Sequence, residues 1–365
     1  MSAWLLVTGF CFGVIMSLLL MMVGAGLVPA QVRPGRPQGC APTVNSGGDC
    51  LSDTIEGLVI KSQSGFFVVA AGGQEIVSQI PGRLKKEWQD SALVATGDRV
   101  TISINADGTG TIESVAERER VLSRARPSPE KRNILTDQEQ IWVANPDQVI
   151  FVFSIRQPSP TLRKLDRFLV VAEMNEIPAV ICINKIDLVK PGEAEQTFRI
   201  YEKINYPVLY VSAKRGDGVD QLQECLHDKI SVFVGSSGVG KTSLLNAVQS
   251  GLGRRVKEVS KATEKGMHTT RHVELVPLDE GGYIADTPGI RGLALFDLEQ
   301  WEIDGYFREI APLVAECQFS DCSHRHEPNC AVRAAVADGR VSPERYQSYL
   351  RLREEHEMLD DRAYD

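Results

Sequence analysis

The hydrophobic pattern changes character three times along the chain. Trp4 to Val28 is almost unbroken apolar sequence, and no charged residue occurs before Arg33. That run is long enough to span a bilayer, which takes about 20 apolar residues as a helix. It lacks the basic start and small-residue cleavage site of a secretory signal. Residues 33–52 are rich in Pro, Gly and Ser and read as a linker. From Thr54 to about Val121 the pattern is short and strand-like. Gly57–Lys61, Gly65–Ala70, Asp98–Ile104 and Gly110–Val115 alternate or run apolar between glycine-rich turns. Four or five such strands in so short a stretch predict a small closed barrel of the OB type. Beyond Arg132 the rhythm becomes α/β. Val149–Phe153, Ala179–Ile183, Val208–Val211 and Ser231–Val234 are apolar runs of strand length, and Leu162, Leu165, Phe168, Leu169 and Ala172 recur at helical spacing. Alternating strands and helices predict crossover units and a mostly parallel sheet, with its chemistry at the carboxyl ends of the strands. The basic, proline-containing stretch Arg124–Arg132 reads as an exposed linker between barrel and sheet.

Composition narrows the class. The chain has 365 residues, 43% hydrophobic and 24% charged, which fits a globular protein of two or three domains and excludes disorder, collagen and a multi-span membrane protein. The net charge of −8 argues against a whole-chain polyanion binder but not against a local basic patch. OB barrels often bind single-stranded nucleic acid. The barrel region, Asp53–Arg120, however, carries seven basic against ten acidic residues, which leaves a docking barrel with no nucleic-acid groove of its own as the alternative. Arg254–Glu274 carries six basic and three acidic residues.

The sharpest motif is Gly235-Ser236-Ser237-Gly238-Val239-Gly240-Lys241-Thr242, directly after a strand and before the helical Ser243–Val248. Glycines there let backbone N–H groups wrap a phosphate chain at a helix N-terminus. Lys241 supplies a charge to the β- and γ-phosphates, and the Thr242 hydroxyl can ligate Mg2+. Asn184-Lys185-Ile186-Asp187 follows an earlier strand. The Asp187 carboxylate can accept from both N1–H and the 2-amino group of guanine, a pairing adenine cannot offer. Lys185 can lie over the base and Asn184 can brace the loop. Ser212-Ala213-Lys214, after the next strand, resembles a second base-binding loop whose Ala213 amide meets guanine O6. Asp286-Thr-Pro-Gly289 follows the apolar Tyr283–Ala285, as D-x-x-G does where a carboxylate holds Mg2+ through water and a glycine amide senses the γ-phosphate. Gly266–Arg271 supplies threonines for a first switch, Thr269 among them. Near the C-terminus, Cys317-x4-Cys322-x-His324-x5-Cys330 offers three thiolates and an imidazole for a closed, structural Zn2+ site, with His326 a competing nitrogen donor. Cysteines clustered with histidines read as metal ligation in a reducing, cytoplasmic compartment.

These motifs come in an unusual order, with the base-specificity pair ahead of the phosphate loop. Cutting an ordinary GTPase between sheet strands and rejoining its old ends produces this arrangement. A circularly permuted α/β P-loop GTPase core, an OB-type barrel before it and a Cys/His cluster after it resemble the ribosome-small-subunit-dependent GTPase family (RsgA, also called YjeQ or EngC), from Thr54 to the C-terminus. The resemblance implies a GTP hydrolase, alternating GTP and GDP, that binds the small ribosomal subunit and its rRNA during late maturation, as a monomer. It favours His324 over His326 as the nitrogen ligand; Asn329 stands where the family usually has Gly. Ile290 occupies the place of the water-orienting Gln of Ras-like enzymes, a feature the family shares, so His268 becomes the candidate for that task. The expected layout is a leader and linker at 1–52, the barrel at 53–121, the GTPase domain at 128–298 and a helical zinc-binding domain at 299–365. The leader is read either as a dispensable or over-long start or as a true anchor. In the second case a membrane-tethered regulatory GTPase without ribosomal work is the alternative. An RNA-binding module that uses its nucleotide only as a switch is a third reading.

Overall fold

A computed structural model of the chain describes residues 54–63, 65–82, 94–126, 138–257, 273–286 and 301–364. The apolar leader, the presumed first switch and most of the D-x-x-G turn lie outside them.

The first five strands are β1 (Thr54–Gln63), β2 (Phe66–Ala71), β3 (Gln74–Gln79), β4 (Arg99–Ile104) and β5 (Gly110–Val115). They close into a barrel in the order β1-β2-β3-β5-β4, with β1 pairing β4 to complete the ring. Val59, Phe67, Val69, Val100, Ile102 and Ile112 alternate inward and fill it. A register shift between Val59 and Lys61 bends β1, which pairs β4 through its first half and β2 through its second. Strand β3 escapes the apolar pattern because Gln74, Glu75 and Gln79 face solvent. Its signal is the turn before it, where Gly72 and Gly73 both take positive φ, as a two-residue hairpin requires. Asp98 is buried at the barrel's end and is neutralised by a two-pronged pair with Arg118, at 2.7 and 2.8 Å.

The stretch expected as a linker is in part a strand. β6 (Val121–Arg126) pairs antiparallel with β7 (Gln138–Ala144), from Val121 opposite Ala144 to Arg126 opposite Gln138. Burial of Leu122 with Trp142 and Val143 in the central core accounts for it. The charges and prolines drew attention from the alternation that begins at Val121. Residues 127–137 lie outside the described residues.

The central sheet has the order β10-β9-β8-β11-β13-β12: β8 is Gln148–Ser154, β9 Ala179–Asn184, β10 Val208–Val211, β11 Ile230–Val234, β12 Leu275–Pro277 and β13 Tyr283–Asp286. All neighbours are parallel except β12, which runs against β13. Strands β8, β9 and β11 are buried along their whole length, which is why they read as continuous apolar runs. Alternate side chains divide between two cores: Val149, Phe151 and Phe153 face one side, Ile150 and Val152 the other. Helices α1 (Leu162–Met174) and α2 (Glu193–Glu202) cover the first face, with Phe168 stacked on Phe151 at 5.3 Å. Helices α3 (Val219–Leu226) and α4 (Lys241–Val248) cover the second.

The C-terminal region adds α5 (Ala311–Val314), α6 (Ala331–Ala337) and α7 (Pro343–Tyr364). Phe307, Ile310, Val332, Ala335, Tyr349 and Leu352 join the same core as Phe151 and Leu165, so the sheet and the helices behind it share one apolar interior. Among the described residues no helix is long and apolar enough to cross a membrane.

Candidate nucleotide site and metal cluster

The motif loops follow β9, β10, β11 and β13, all parallel strands of one sheet, so their carboxyl ends open on the same rim. Parallel strands must end together, and residues far apart in the chain meet there. The phosphate loop leaves β11 at Gly235. A side chain at Gly235 would come within 2.5 Å of the Val152 carbonyl on β8, so only glycine lets the chain turn out. Gly238 and Gly240 take φ of 84° and 96°, and helix α4 starts at Lys241 with its free N–H groups toward the loop. Ser237, Thr242 and Ser243 are exposed on this rim, while Val239 is buried beneath it. Lys241 Nζ donates to the Gly235 carbonyl at 2.6 Å and thus lies folded across the loop.

The base loop is tied to the phosphate loop. Asn184, buried at the end of β9, donates from Nδ2 to the Val239 carbonyl at 3.0 Å. Its Oδ1 accepts from Lys185 N at 2.8 Å and from Ala213 N at 3.2 Å. Gly240 makes this approach possible, since a Cβ there would fall 2.4 Å from Asn184 Nδ2. Lys185 takes φ of 66° and donates from Nζ to the Gly238 carbonyl at 2.7 Å and to the Gln157 carbonyl. Its ammonium therefore braces the phosphate loop, and only its stem is left to flank a base. Asp187 Oδ1 accepts from the Ser212 hydroxyl at 2.8 Å, and Ser212 is fully buried. The Asp187 carboxylate is thus held between its own short helical turn, Ile186–Leu188, and the loop after β10. Ile186 packs against the core, and Lys214 is exposed. Asp286 ends β13 opposite Phe233 of β11, next to the strand that carries the phosphate loop. His268, Thr269, Gly289 and Ile290 lie outside the described residues.

Two contributors were invisible in the motifs. Lys164, in the first turn of α1, donates to the Ser236 hydroxyl at 2.8 Å. The loop between β8 and α1 lies against the phosphate loop through Pro158, near Gly238, and against the base loop through the Gln157 carbonyl, which accepts from Lys185. Nothing in the sequence marks these residues, because only the pairing of β8 with β11 brings them there.

The second cluster joins Cys317, Cys322, His324 and Cys330, whose ligand atoms all lie within 4.8 Å of one another. Cys317 and Cys330 Sγ are 3.9 Å apart, and His324 Nδ1 lies 3.5 and 3.3 Å from them. Zn–S bonds of about 2.3 Å at tetrahedral angles would set sulfurs roughly 3.8 Å apart, so the donor set fits that ion. Burial pushes the Cys322 thiol up to about 12 and raises Cys330 as well, so a bound cation is what would hold them as thiolates. His326 is outside the set. Its backbone N–H, with those of Ser323 and Arg325, donates to the Glu327 carboxylate, which organises the loop between ligands. Asn329 takes φ of 53°, the left-handed conformation for which glycine would otherwise serve.

A phosphate loop, a guanine-type base loop placed earlier in the chain and a parallel sheet carrying both define a circularly permuted P-loop GTPase, here joined to a five-stranded barrel and a Cys3His region. The chain belongs to the RsgA family of GTPases: the RsgA GTPase model matches residues 115–296 and the RsgA N-terminal domain model residues 56–112. It is 42% identical over 306 residues to the small ribosomal subunit biogenesis GTPase RsgA of Gemmatimonas aurantiaca, covering 84% of this chain and 98% of that one. To RsgA 2 of Bacteroides thetaiotaomicron it is 39% identical, covering 85% and 99%. Among solved structures, YjeQ from Thermotoga maritima superposes with a TM-score of 0.68 at 34% identity, over 83% of this chain and 98% of that one. YloQ, described as a circularly permuted GTPase, gives 0.65 at 31%, over 85% and 98%. The permutation, barrel and GTPase activity expected from the sequence are thereby established.

Proposed function

We propose that this GTPase acts on the small ribosomal subunit late in its maturation, in the cytoplasm, as a monomer that contacts rRNA. The observation that carries the reading is the pair of side chains on the base loop, Asn184 and Lys185, both bonded to phosphate-loop carbonyls. That union supports a nucleotide site held ready between the two loops, in a chain whose relatives are named for subunit biogenesis.

Within it, the amides of Gly235 to Gly240 cradle the β-phosphate, and Lys241 leaves the Gly235 carbonyl for the β- and γ-phosphates. Asp187 reads guanine, and the Ala213 amide, which otherwise donates to Asn184 Oδ1, would leave that acceptor for the guanine O6. When bound, Mg2+ supplies a counter-charge to the phosphates; Thr242 and Asp286 would hold it, one exposed at the helix start and the other ending the neighbouring strand. Thr269 and Gly289 would sense the γ-phosphate, and His268 would orient the attacking water where Ile290 offers no polar atom. Zn2+ in the Cys3His set is structural, because its four ligands leave no open position. The test is GTP hydrolysis with and without purified small subunits, with stimulation expected.

A further inference from the structure

We propose that Asp304 is the positioning residue of the metal cluster, fixing His324 as a ligand through Nδ1. His324 is completely buried, and its Nε2 lies 3.0 Å from Asp304 Oδ2. Its other ring nitrogen, Nδ1, faces Cys317 and Cys330. A neutral imidazole carries one N–H and one lone pair, and the group facing each nitrogen decides which is which. Nδ1 faces the sulfurs and Nε2 faces the Asp304 carboxylate, so the lone pair points from Nδ1 into the cysteines and the N–H from Nε2 to Asp304. A metal bound at Nε2 would sit against Asp304, on the far side of the ring from the thiols.

The surroundings hold this orientation. Asp304 lies on the short helical turn Ile303–Tyr306, and Ile303 and Phe307 on either side of it are fully buried. The backbone of the ligand loop is gripped from α7: Tyr346 donates its hydroxyl to the His324 carbonyl at 2.6 Å, and Tyr349 to the Ser323 carbonyl at 3.1 Å. His324 itself has φ of 60°, a conformation a side chain adopts only when its environment compensates. Carboxylates paired to a ligand's distal N–H raise its basicity, and losing one typically costs about 10–100-fold in metal affinity. Asp304 precedes His324 by 20 residues, so the contact ties the turn Ile303–Tyr306 to the ligand loop.

The experiment uses full-length zinc-loaded protein. Long-range 1H–15N spectra of the wild type should show His324 protonated at Nε2 and metal-bound at Nδ1. Competition with a chromophoric chelator should show zinc released roughly 10–100-fold more readily from Asp304→Ala. Asp304→Asn, which keeps an acceptor but not the charge, should give a smaller loss. Metal on Nε2, or a zinc affinity unchanged in both variants, overturns the proposal. If Asp304→Ala does not fold, the wild-type tautomer and the Asn variant decide it.

Discussion

Asn184 Nδ2 donates to the carbonyl of Val239, 55 residues away in sequence, and so fastens the base loop to the phosphate loop. In a chain where the two motifs are rearranged, this bond restores their working distance. Asn184→Ala removes it together with the acceptor used by the Lys185 and Ala213 amides. Each buried donor or acceptor left unmade costs about 1–3 kcal/mol. We expect GTP affinity to fall by at least about 10-fold, measured by fluorescent-nucleotide titration, with a lowered melting temperature. Wild-type affinity would show that the bond does not shape the site.

In the proposed reading, Asp187 carries the base choice. Its carboxylate is oriented by the Ser212 hydroxyl and offers two acceptors, whereas the amide of Asp187→Asn presents a donor to guanine's own donors. Bonds to charged groups are worth about 1.5–3 kcal/mol, so GTP binding should weaken roughly 10–100-fold while xanthosine triphosphate gains. A competition assay with unchanged guanine preference would contradict the assignment.

Arg345 holds the C-terminal helices against the sheet. It is 1% exposed and donates to Asp166 of α1 at 2.8 Å and to Glu309 at 2.6 and 3.1 Å, while Tyr201 also donates to Asp166. Those two carboxylates keep it charged despite burial. Arg345→Met leaves both without their cation, and breaking a buried pair in this way costs about 3–5 kcal/mol. Urea unfolding followed by tryptophan fluorescence should report that loss. A change below about 1 kcal/mol, the worth of an exposed pair, would mean the network is solvated in solution.

Metal removal should act beyond the cluster. Cys322 and Cys330 belong to the core that continues into the sheet, so stripping zinc or Cys322→Ser should lower the melting temperature of the whole unit. Because burial raises the Cys322 and Cys330 thiols, metal binding must displace their protons, and zinc affinity should fall as pH falls. Differential scanning calorimetry with and without chelator checks the first point and chelator competition at pH 6 and 8 the second. A pH-independent affinity would contradict the thiolate set.

Much of this architecture was legible because central strands such as Val149–Phe153 are buried on both faces and spell themselves as apolar runs. The glycine spacing of residues 235–240 was equally readable, since its positive φ angles and close approaches admit little else. What escaped was relational. Asp304 and Lys164 carry no motif, and their roles exist only once strand pairing sets Lys164 beside Ser236 and the packing of the C-terminal region sets Asp304 beside His324. Strand β6 was hidden for another reason: its arginines and neighbouring prolines resemble a linker, and Leu122 alone signals the burial that makes it a strand. Lys185 was placed over the base by its motif, yet its ammonium is taken by the Gly238 carbonyl.

The central claim, a nucleotide cleft completed by the ribosome, is tested most directly by steady-state GTP hydrolysis with and without purified small ribosomal subunits. With Ile290 where a water-orienting Gln would stand, turnover alone should be slow. Small subunits should raise it at least about 10-fold, an effect that declines with salt as rRNA phosphate contacts are screened. Equal turnover in the presence and absence of subunits, across that salt range, would contradict the account.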